Sequence, residues 1–445
     1  LLRGVLRLSI GTAVARAMAA VGQLLLAVWL TPTDFGYWAA ATSVISVLTG
    51  LANFGEVNGY LSGQGGTFSQ ARRAILRVNT VLAGSGALIA VLYWLDGNVM
   101  VAALAAISAV SIPLIGDAEL MYSTGVKYKA YARVVTAQIF AAVAKIIVGV
   151  VIAAAFASPL AFAVSTVVFY LLMDIVILRR VPSLTHAEVE SVRTVSPRTR
   201  FTWGVNSLFV TLPIQVGFIV AQFGASAEVL GLYFLAYQVS LGLSGLVSVP
   251  LARVALSSLS NETFDRRVPL SMELCRLFVF AVSGLAALVS LFAPLIGSVL
   301  GAEWTAAAPA VVILLASLAV RMMSPILDGL QQANNRWWQG TAFNAVDTAG
   351  TAAAALVSFT GDLMLLVSAV AMWKVLFGLV RAAWLLSSAR PLPVMATLLP
   401  ALVMSLLIGG SAFFAQPASI VVLVCALIIS VGGTLLTARA RRSRP

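Results

Sequence analysis

Apolar stretches of membrane-crossing length recur about fourteen times along the chain, separated by short polar connections. They run approximately over 5–30, 35–60, 74–95, 99–123, 132–156, 160–178, 201–223, 229–257, 271–293, 306–331, 337–358, 362–388, 393–414 and 418–438. At ~1.5 Å rise per residue, roughly twenty apolar residues cross a ~30 Å hydrocarbon core. The pattern predicts an all-α, polytopic membrane protein with about 14 transmembrane helices.

The connections alternate in charge. Odd-numbered ones carry Asp34, Asp96, Glu228, Glu303 and Asp362 and no basic residue. Even-numbered ones carry Arg72, Arg73, Lys127, Lys129, Arg179, Arg180, Arg266, Arg267, Arg336 and Arg390. Retention of Lys and Arg on the cytoplasmic side predicts this alternation and places both termini inside, beside Arg3 and Arg7 and beside Arg439, Arg441, Arg442 and Arg444. The outer connections are only a few residues long, apart from the one around Gly301 to Thr305, which leaves no room for an external domain.

Composition sharpens the class. Sixty per cent of residues are apolar, ten per cent are charged, and the mean hydropathy is +1.00. A net charge of +12 would suggest nucleic acid in a soluble protein. Here the excess sits in short loops facing anionic headgroups, so no nucleic-acid partner is expected. Cys275 and Cys425 both fall inside apolar spans, which argues against a disulfide or a metal site. The first apolar stretch, about Leu6 to Leu30, is too long for a signal h-region and lacks a cleavage pattern, so it is expected to persist as span one.

The two halves look related. Phe35-Gly36-Tyr37 recurs 195 positions on as Leu230-Gly231-Leu232, and Thr67-Phe68 with Arg72-Arg73 recurs about 196 on as Thr263-Phe264 with Arg266-Arg267. Ser85-Gly86-Ala87 recurs 198 on as Ser283-Gly284-Leu285, and Pro113 recurs 212 on as Pro325. One insertion, the longer outer loop between spans nine and ten, accounts for the jump. Six duplicated spans share one orientation, as in parallel-repeat transporters. The expected division is a six-helix lobe over 1–182, a polar cytoplasmic linker over 183–200, a second six-helix lobe over 201–390, and helices 13 and 14 with a basic tail over 391–445. The linker holds a T-x-x-E capping box, Thr185 to Glu188, suited to a short surface helix.

Several ionisable residues lie too deep to belong to loops. Arg16 in span one and Lys145 in span five fall near the midplane, and Arg321, Asp347 and Lys374 reach similar depths in spans ten, eleven and twelve. Each costs roughly 2.5–3.5 kcal/mol at a lipid-facing helix centre. They are therefore expected to face a shared hydrated interior or to pair with one another. An Arg321–Asp347 or Asp347–Lys374 pair would tie neighbouring helices; Arg16 and Lys145 have no equally deep acid in the first half and suit an anionic ligand. Asp174 lies nearer the cytoplasmic end of span six, where it is expected to be solvated. Glu56, Asp117, Glu119 and Asp328 are placed within a few turns of that face as gate or boundary residues, with Glu56 a candidate proton or cation carrier.

Uncharged polar residues extend the wet interior: Gln23, Asn53, Asn58, Asn206, Gln215, Gln138, Gln238 and Asn344. Some would serve helix–helix hydrogen bonds, and the rest would suit a long polar ligand. Pro213 and Pro250 interrupt spans seven and eight, with Gly217 and Gly242 close by, so bends are expected there.

The segment Leu24-Leu25-Leu26-Ala27-Val28-Trp29-Leu30 followed by Thr31-Pro32-Thr33-Asp34-Phe35-Gly36-Tyr37-Trp38 resembles polysaccharide-unit flippases of the Wzx type, and Leu51-Ala52-Asn53-Phe54-Gly55-Glu56 looks like the end of their second helix. That family belongs to the superfamily of multidrug-and-toxin exporters and lipid II flippases. The resemblance implies two six-helix lobes in a V around a cationic cavity, alternating access, and no cofactor beyond an ion gradient or membrane potential. It implies a bacterial cytoplasmic membrane location. By position, Arg16 resembles the basic residue on the first helix of lipid II flippases, and Glu56 their acid at the end of the second. The substrate it implies is a polyprenyl-pyrophosphate-linked oligosaccharide, with membrane lipids, a polysaccharide polymerase or glycosyltransferases as partners.

The residues fit such a task. Phosphate on a lipid-linked sugar cannot cross hydrocarbon unaided. Arg16, Lys145, Arg321 and Lys374 would neutralise it, Arg with bidentate geometry. Asn53, Asn206 and Trp203 would meet sugar hydroxyls and ring faces. Glu56, Asp347 and Asp174 are the candidate ion-coupling or gate residues. A multidrug antiporter of the same fold or a lipid II flippase is the alternative; the former would favour cavity acids, whereas the deep residues lean basic. An enzyme needs acid or histidine chemistry at an accessible interface, and the only histidine is His186 in the linker.

Overall fold

The computed structural model describes residues 11, 14–15, 17–19, 21–53, 55–61, 67–180, 197–334, 336–387, 391–415 and 417–442. Arg16, the Thr185–Glu188 capping box with His186, Arg390 and both charged chain ends at Arg3, Arg7 and Arg444 lie outside the described residues. The fold is all-α. In chain order the helices are α1 (Ala17–Leu26), α2 (Pro32–Gly50), α3 (Glu56–Leu61), α4 (Phe68–Leu95), α5 (Val99–Lys127), α6 (Tyr131–Phe156), α7 (Leu160–Arg180), α8 (Pro197–Ala221) and α9 (Ala227–Ser260). They continue as α10 (Phe264–Phe292), α11 (Leu295–Leu300), α12 (Ala307–Ala316), α13 (Leu318–Arg321), α14 (Ser324–Ala333), α15 (Trp337–Ala355), α16 (Leu363–Leu386), α17 (Pro391–Ser411) and α18 (Ala418–Arg442).

Among the described residues ten stretches are long and apolar enough to cross a bilayer, one of them formed by the α12–α14 run. With α1, the α2–α3 pair, α7 and α15 they make fourteen helical passes, the count the hydrophobic pattern predicts. Lipid-directed faces stay apolar without packing partners, as at Leu88 and Leu92 of α4 and Leu435 and Leu436 of α18, all exposed.

Local chemistry sets the helix starts. Thr31 caps α2: its Oγ1 accepts from the Asp34 N–H at 3.3 Å, and the Asp34 carboxylate accepts from the Thr31 N–H at 3.0 Å. Pro32 occupies the first turn, where no N–H is needed. Thr67 and Gln70 form the same reciprocal cap on α4. Thr263 stands at the repeat-related start of α10, but there no side-chain cap forms.

Two passes are broken where continuous spans are expected. The second ends at Gly50, turns through Leu51 to Asn53 and Gly55, and restarts at Glu56. Gly55 adopts φ of 78°, a left-handed conformation that costs glycine nothing. Glu56 therefore opens a short helix instead of closing a long one. The tenth pass breaks between Arg321 and Ser324, because the Pro325 ring collides with the carbonyl four residues back and supplies no N–H. Pro113, its repeat partner, lies inside the unbroken α5. The bends expected at Pro213 and Pro250 do not interrupt α8 or α9.

The chain forms two compact units, residues 1–222 and 223–445. In the first, α5 packs on α4 and α7, and α8 packs on α2. Its core joins Tyr60, Phe68, Ile75, Leu120, Met121 and Met173. Contacts thus group the pass at 201–223 with the first unit, whereas the repeat assigns it to the second lobe. In the second unit the α12–α14 run is the central post, nearly all buried, and α10 is sheathed by α17 and α18. The last two helices are thereby structural members of that unit.

Candidate functional site

In the second unit a polar cluster occupies the interior between α9, α13, α15 and α16. Lys374 on α16 places Nζ 2.9 Å from both carboxylate oxygens of Asp347 on α15. The Trp373 indole N–H donates to Asp347 Oδ1 at 3.0 Å, and Thr351 Oγ1 donates to the same oxygen at 3.3 Å. Gly350 lets α15 approach this closely, since a Cβ there would lie 1.9 Å from the Trp373 ring. Of the two pairings open from the sequence, the geometry takes Asp347–Lys374.

Arg321 goes elsewhere. It ends α13 at the break in the tenth pass, its Nη1 3.5 Å from Ser240 Oγ and its guanidinium 5.7 Å from the Tyr237 ring centroid. Among the described residues no carboxylate lies within ion-pair distance of it. Arg321 and Lys374 are within electrostatic range of each other. The cluster thus holds two cations and one carboxylate, which is paired with Lys374 alone, and among the described residues it is cationic.

Two turns further along α16, Arg381 is buried and bonds Asp328 and Gln331 of α14, the latter at 2.9 Å, while its guanidinium lies 5.1 Å from the Phe343 ring centroid. Asp328 is thereby an ion-pair partner and not simply a boundary acid. Arg381 was not among the sequence candidates. The signal for it is the stripe Lys374, Gly378, Arg381, which puts both cations on the buried face of one helix.

In the first unit Lys145 lies mid-way along α6, its Nζ 5.9 Å from the Phe169 ring centroid of α7. Among the described residues it has no ion pair. The α1 helix packs nearby, Gly22 against Ile146 and Leu26 against Gly149.

Arg72 and Asp117 form a bidentate pair, Nε to Oδ1 at 2.7 Å and Nη2 to Oδ2 at 2.6 Å, with Asp174 in electrostatic range of both. This ties α4 to α5. Asn53 sits in the break between α2 and α3, its buried Oδ1 lacking a hydrogen-bond partner. Buried Gln138 Oε1 lacks one too, as does Oδ1 of Asp174, which is buried by the packing of α7 and not solvated as its place near a helix end suggests. Asn206 lies half-buried on α8, which packs on both α2 and α3. Unanswered buried acceptors are rare in finished cores and mark places where water or a polar ligand enters. Lys374, Asp347 and Arg321 are brought together in one unit, and Lys145, Asn53, Glu56, Asn206 and Asp174 belong to the other.

The sequence profile of a family described as "Polysaccharide biosynthesis protein" matches residues 25–309. A search of curated protein sequences finds no match. Among solved structures the chain is similar to a lipid II flippase, MurJ, in an inward closed conformation, with TM-score 0.70 and 13% identity, covering 95% of this chain and 97% of that one. It is also similar to a multidrug resistance MATE family transporter of the MOP superfamily, at TM-score 0.63 and 11% identity over 87% and 99% of the two chains. A eukaryotic MATE transporter gives TM-score 0.56 at 16% identity over 90% and 99%. These similarities establish a shared fold.

Proposed function

Since the chain belongs to the polysaccharide biosynthesis protein family and has the fold of membrane flippases and exporters, we propose that it carries a polyprenyl-pyrophosphate-linked oligosaccharide from the cytoplasmic to the outer leaflet by alternating access. The observation that carries this reading is that Lys145 and Arg321, deep in apolar helices, have no carboxylate partner among the described residues. An unbalanced cation inside a membrane protein is expensive, and a phosphate passing through supplies the missing charge. Guanidinium and ammonium groups bind phosphate without any chemistry on it, so no catalytic step is required. Asn53 and Asn206 offer amide donors and acceptors to sugar hydroxyls.

The sign of these residues favours this reading over export of cationic drugs, which needs unpaired acids. In the second unit Asp347 and Asp328 are already paired with cations, and in the first the buried Asp174 is an acid outside any ion pair among the described residues. In this scheme Asp347 exchanges partners when phosphate draws on Lys374, linking the substrate to a proton or sodium gradient, and Glu56 and Asp174 gate the first unit. Arg16 joins the phosphate set on the first helix. The glycosyltransferases that build the glycan and the polymerase that consumes it act upstream and downstream.

Deleting the gene should make a lipid-linked glycan accumulate on the cytoplasmic leaflet. Wild-type protein should clear it and a Lys145→Ala, Arg321→Ala variant at equal membrane abundance should not. Accumulation of no lipid-linked sugar in the deletion strain would overturn the assignment.

A further inference from the structure

The repeat exposes a difference between the halves at one matched helix start. In the first unit Phe68 is buried at the beginning of α4, its ring 6.1 Å from Tyr60 of α3, and Thr67 caps the helix. In the second unit α9 runs straight to Ser260, so nothing equivalent to α3 covers α10. Phe264 is left 66% exposed, Thr263 makes no side-chain cap, and a cavity of about 400 Å³ opens beside them.

This cavity is chemically two-sided. Its polar wall is made by Asp265 in the first turn of α10, by Arg336 and Gln339 at the start of α15, and by Gln331 near the end of α14. The starts of α10 and α15 both present backbone N–H groups without side-chain caps, and helix N-termini favour phosphate. Gln331 is only 2% exposed, and its Oε1 is committed to Arg381 at 2.9 Å. That bond fixes which end of the amide is the donor. The donor, Nε2, is buried and has no acceptor, a lack that a bound acceptor would make good. Its apolar wall includes Phe264, Leu330 and Leu385.

A second cavity of about 340 Å³ shares Pro269 with the first and lies along α10 and α17, lined mainly by Met272, Leu392, Pro393 and Ala396, with Glu273 also on its wall. The guanidinium on its edge, Arg276, is tied to Thr397 Oγ1 at 2.9 Å and the Pro393 carbonyl at 2.8 Å. A polar chamber at the helix ends thus adjoins, at Pro269, a mostly apolar cavity between α10 and α17.

We propose that this site seats one glycerophospholipid with a phosphoethanolamine headgroup. The phosphate lies on Arg336, Gln331 Nε2 and the start of α15. The ammonium lies on Asp265, whose carboxylate would repel a purely anionic headgroup, and an acyl chain follows the Pro269–Leu392 track. Because Gln331 also holds Arg381, the lipid braces the α14–α16 ion pair from the Arg-rich end. The site is independent of the transported substrate.

The test uses full-length protein, delipidated in a neutral detergent and titrated with phosphatidylethanolamine, phosphatidylglycerol and diacylglycerol of identical chains, read by native mass spectrometry. One tight phosphatidylethanolamine is expected, bound at least tenfold better than phosphatidylglycerol and with no retained diacylglycerol. Arg336→Glu, at an exposed position, should weaken both phospholipids at least tenfold, and Asp265→Asn should abolish the preference between them. Equal binding of all three lipids, or wild-type binding in Arg336→Glu, would show only an annular contact and overturn the proposal. Tail-free glycerophosphoethanolamine binding as tightly as the lipid would overturn the membrane-lipid assignment in favour of a soluble phosphate ester.

Discussion

Lys374 Nζ lies 2.9 Å from each carboxylate oxygen of Asp347, and this pair joins α15 to α16 inside the second unit. Both side chains are largely buried, at 8% and 16% exposure, so removing one partner strands the other. Asp347→Asn should therefore cost about 3–5 kcal/mol and lower the melting temperature in detergent. An Asp347→Asn, Lys374→Met double variant should recover most of that loss. Transport failure of Asp347→Asn at an unchanged melting temperature would show that the carboxylate serves coupling and not anchorage.

Gly350 decides whether Trp373 can reach Asp347. A Cβ at Gly350 would lie 1.9 Å from the indole, and the ring body has to move to admit it. Gly350→Ala should cost about 1–3 kcal/mol through overpacking and reduce export, despite alanine's better helix propensity. Gly84 on α4 meets nothing within 4 Å of its built Cβ, so Gly84→Ala should be neutral or slightly stabilising. Equal melting temperatures for the two variants would contradict the packing at Trp373.

Lys145 gives a prediction whose sign is the test. An unpaired ammonium in an apolar helix burdens the fold, so Lys145→Met should leave the melting temperature unchanged or raise it while abolishing glycan export. A lower melting temperature with export intact would make Lys145 a structural residue.

The Arg72–Asp117 pair is half open to its surroundings, with Arg72 37% exposed. Arg72→Ala should cost about 1 kcal/mol, well below the buried-pair range, and Arg72→Lys should keep only part of the bidentate bond. Melting curves of the two variants and of Asp117→Asn check the order.

Most of the fold was legible because bilayer thickness writes itself into the sequence as apolar stretches of crossing length. The Thr31-Pro32-Thr33-Asp34 segment that suggested the family is physically a helix start, a capping box with proline in the first turn. What was not legible was local. Pro113 and Pro325 carry the same letter, yet one sits in an unbroken helix and the other follows a break, since the outcome depends on what neighbouring helices supply. The break ahead of Glu56 hinged on the φ of Gly55. Arg381 was not legible because it lies near a helix end, where basic residues are ordinary; only its place on the Lys374 face marks it as buried. Thr67 and Thr263 read alike, and only coordinates show that one start is covered and the other open.

The decisive measurement is translocation of a fluorescent polyprenyl-pyrophosphate oligosaccharide in proteoliposomes, comparing wild type with Lys145→Met, Arg321→Met protein. The charge account predicts transport by the wild type and at least a hundredfold slower transport by the folded double variant. Equal rates would mean that the unpaired deep cations play no part in carrying the phosphate.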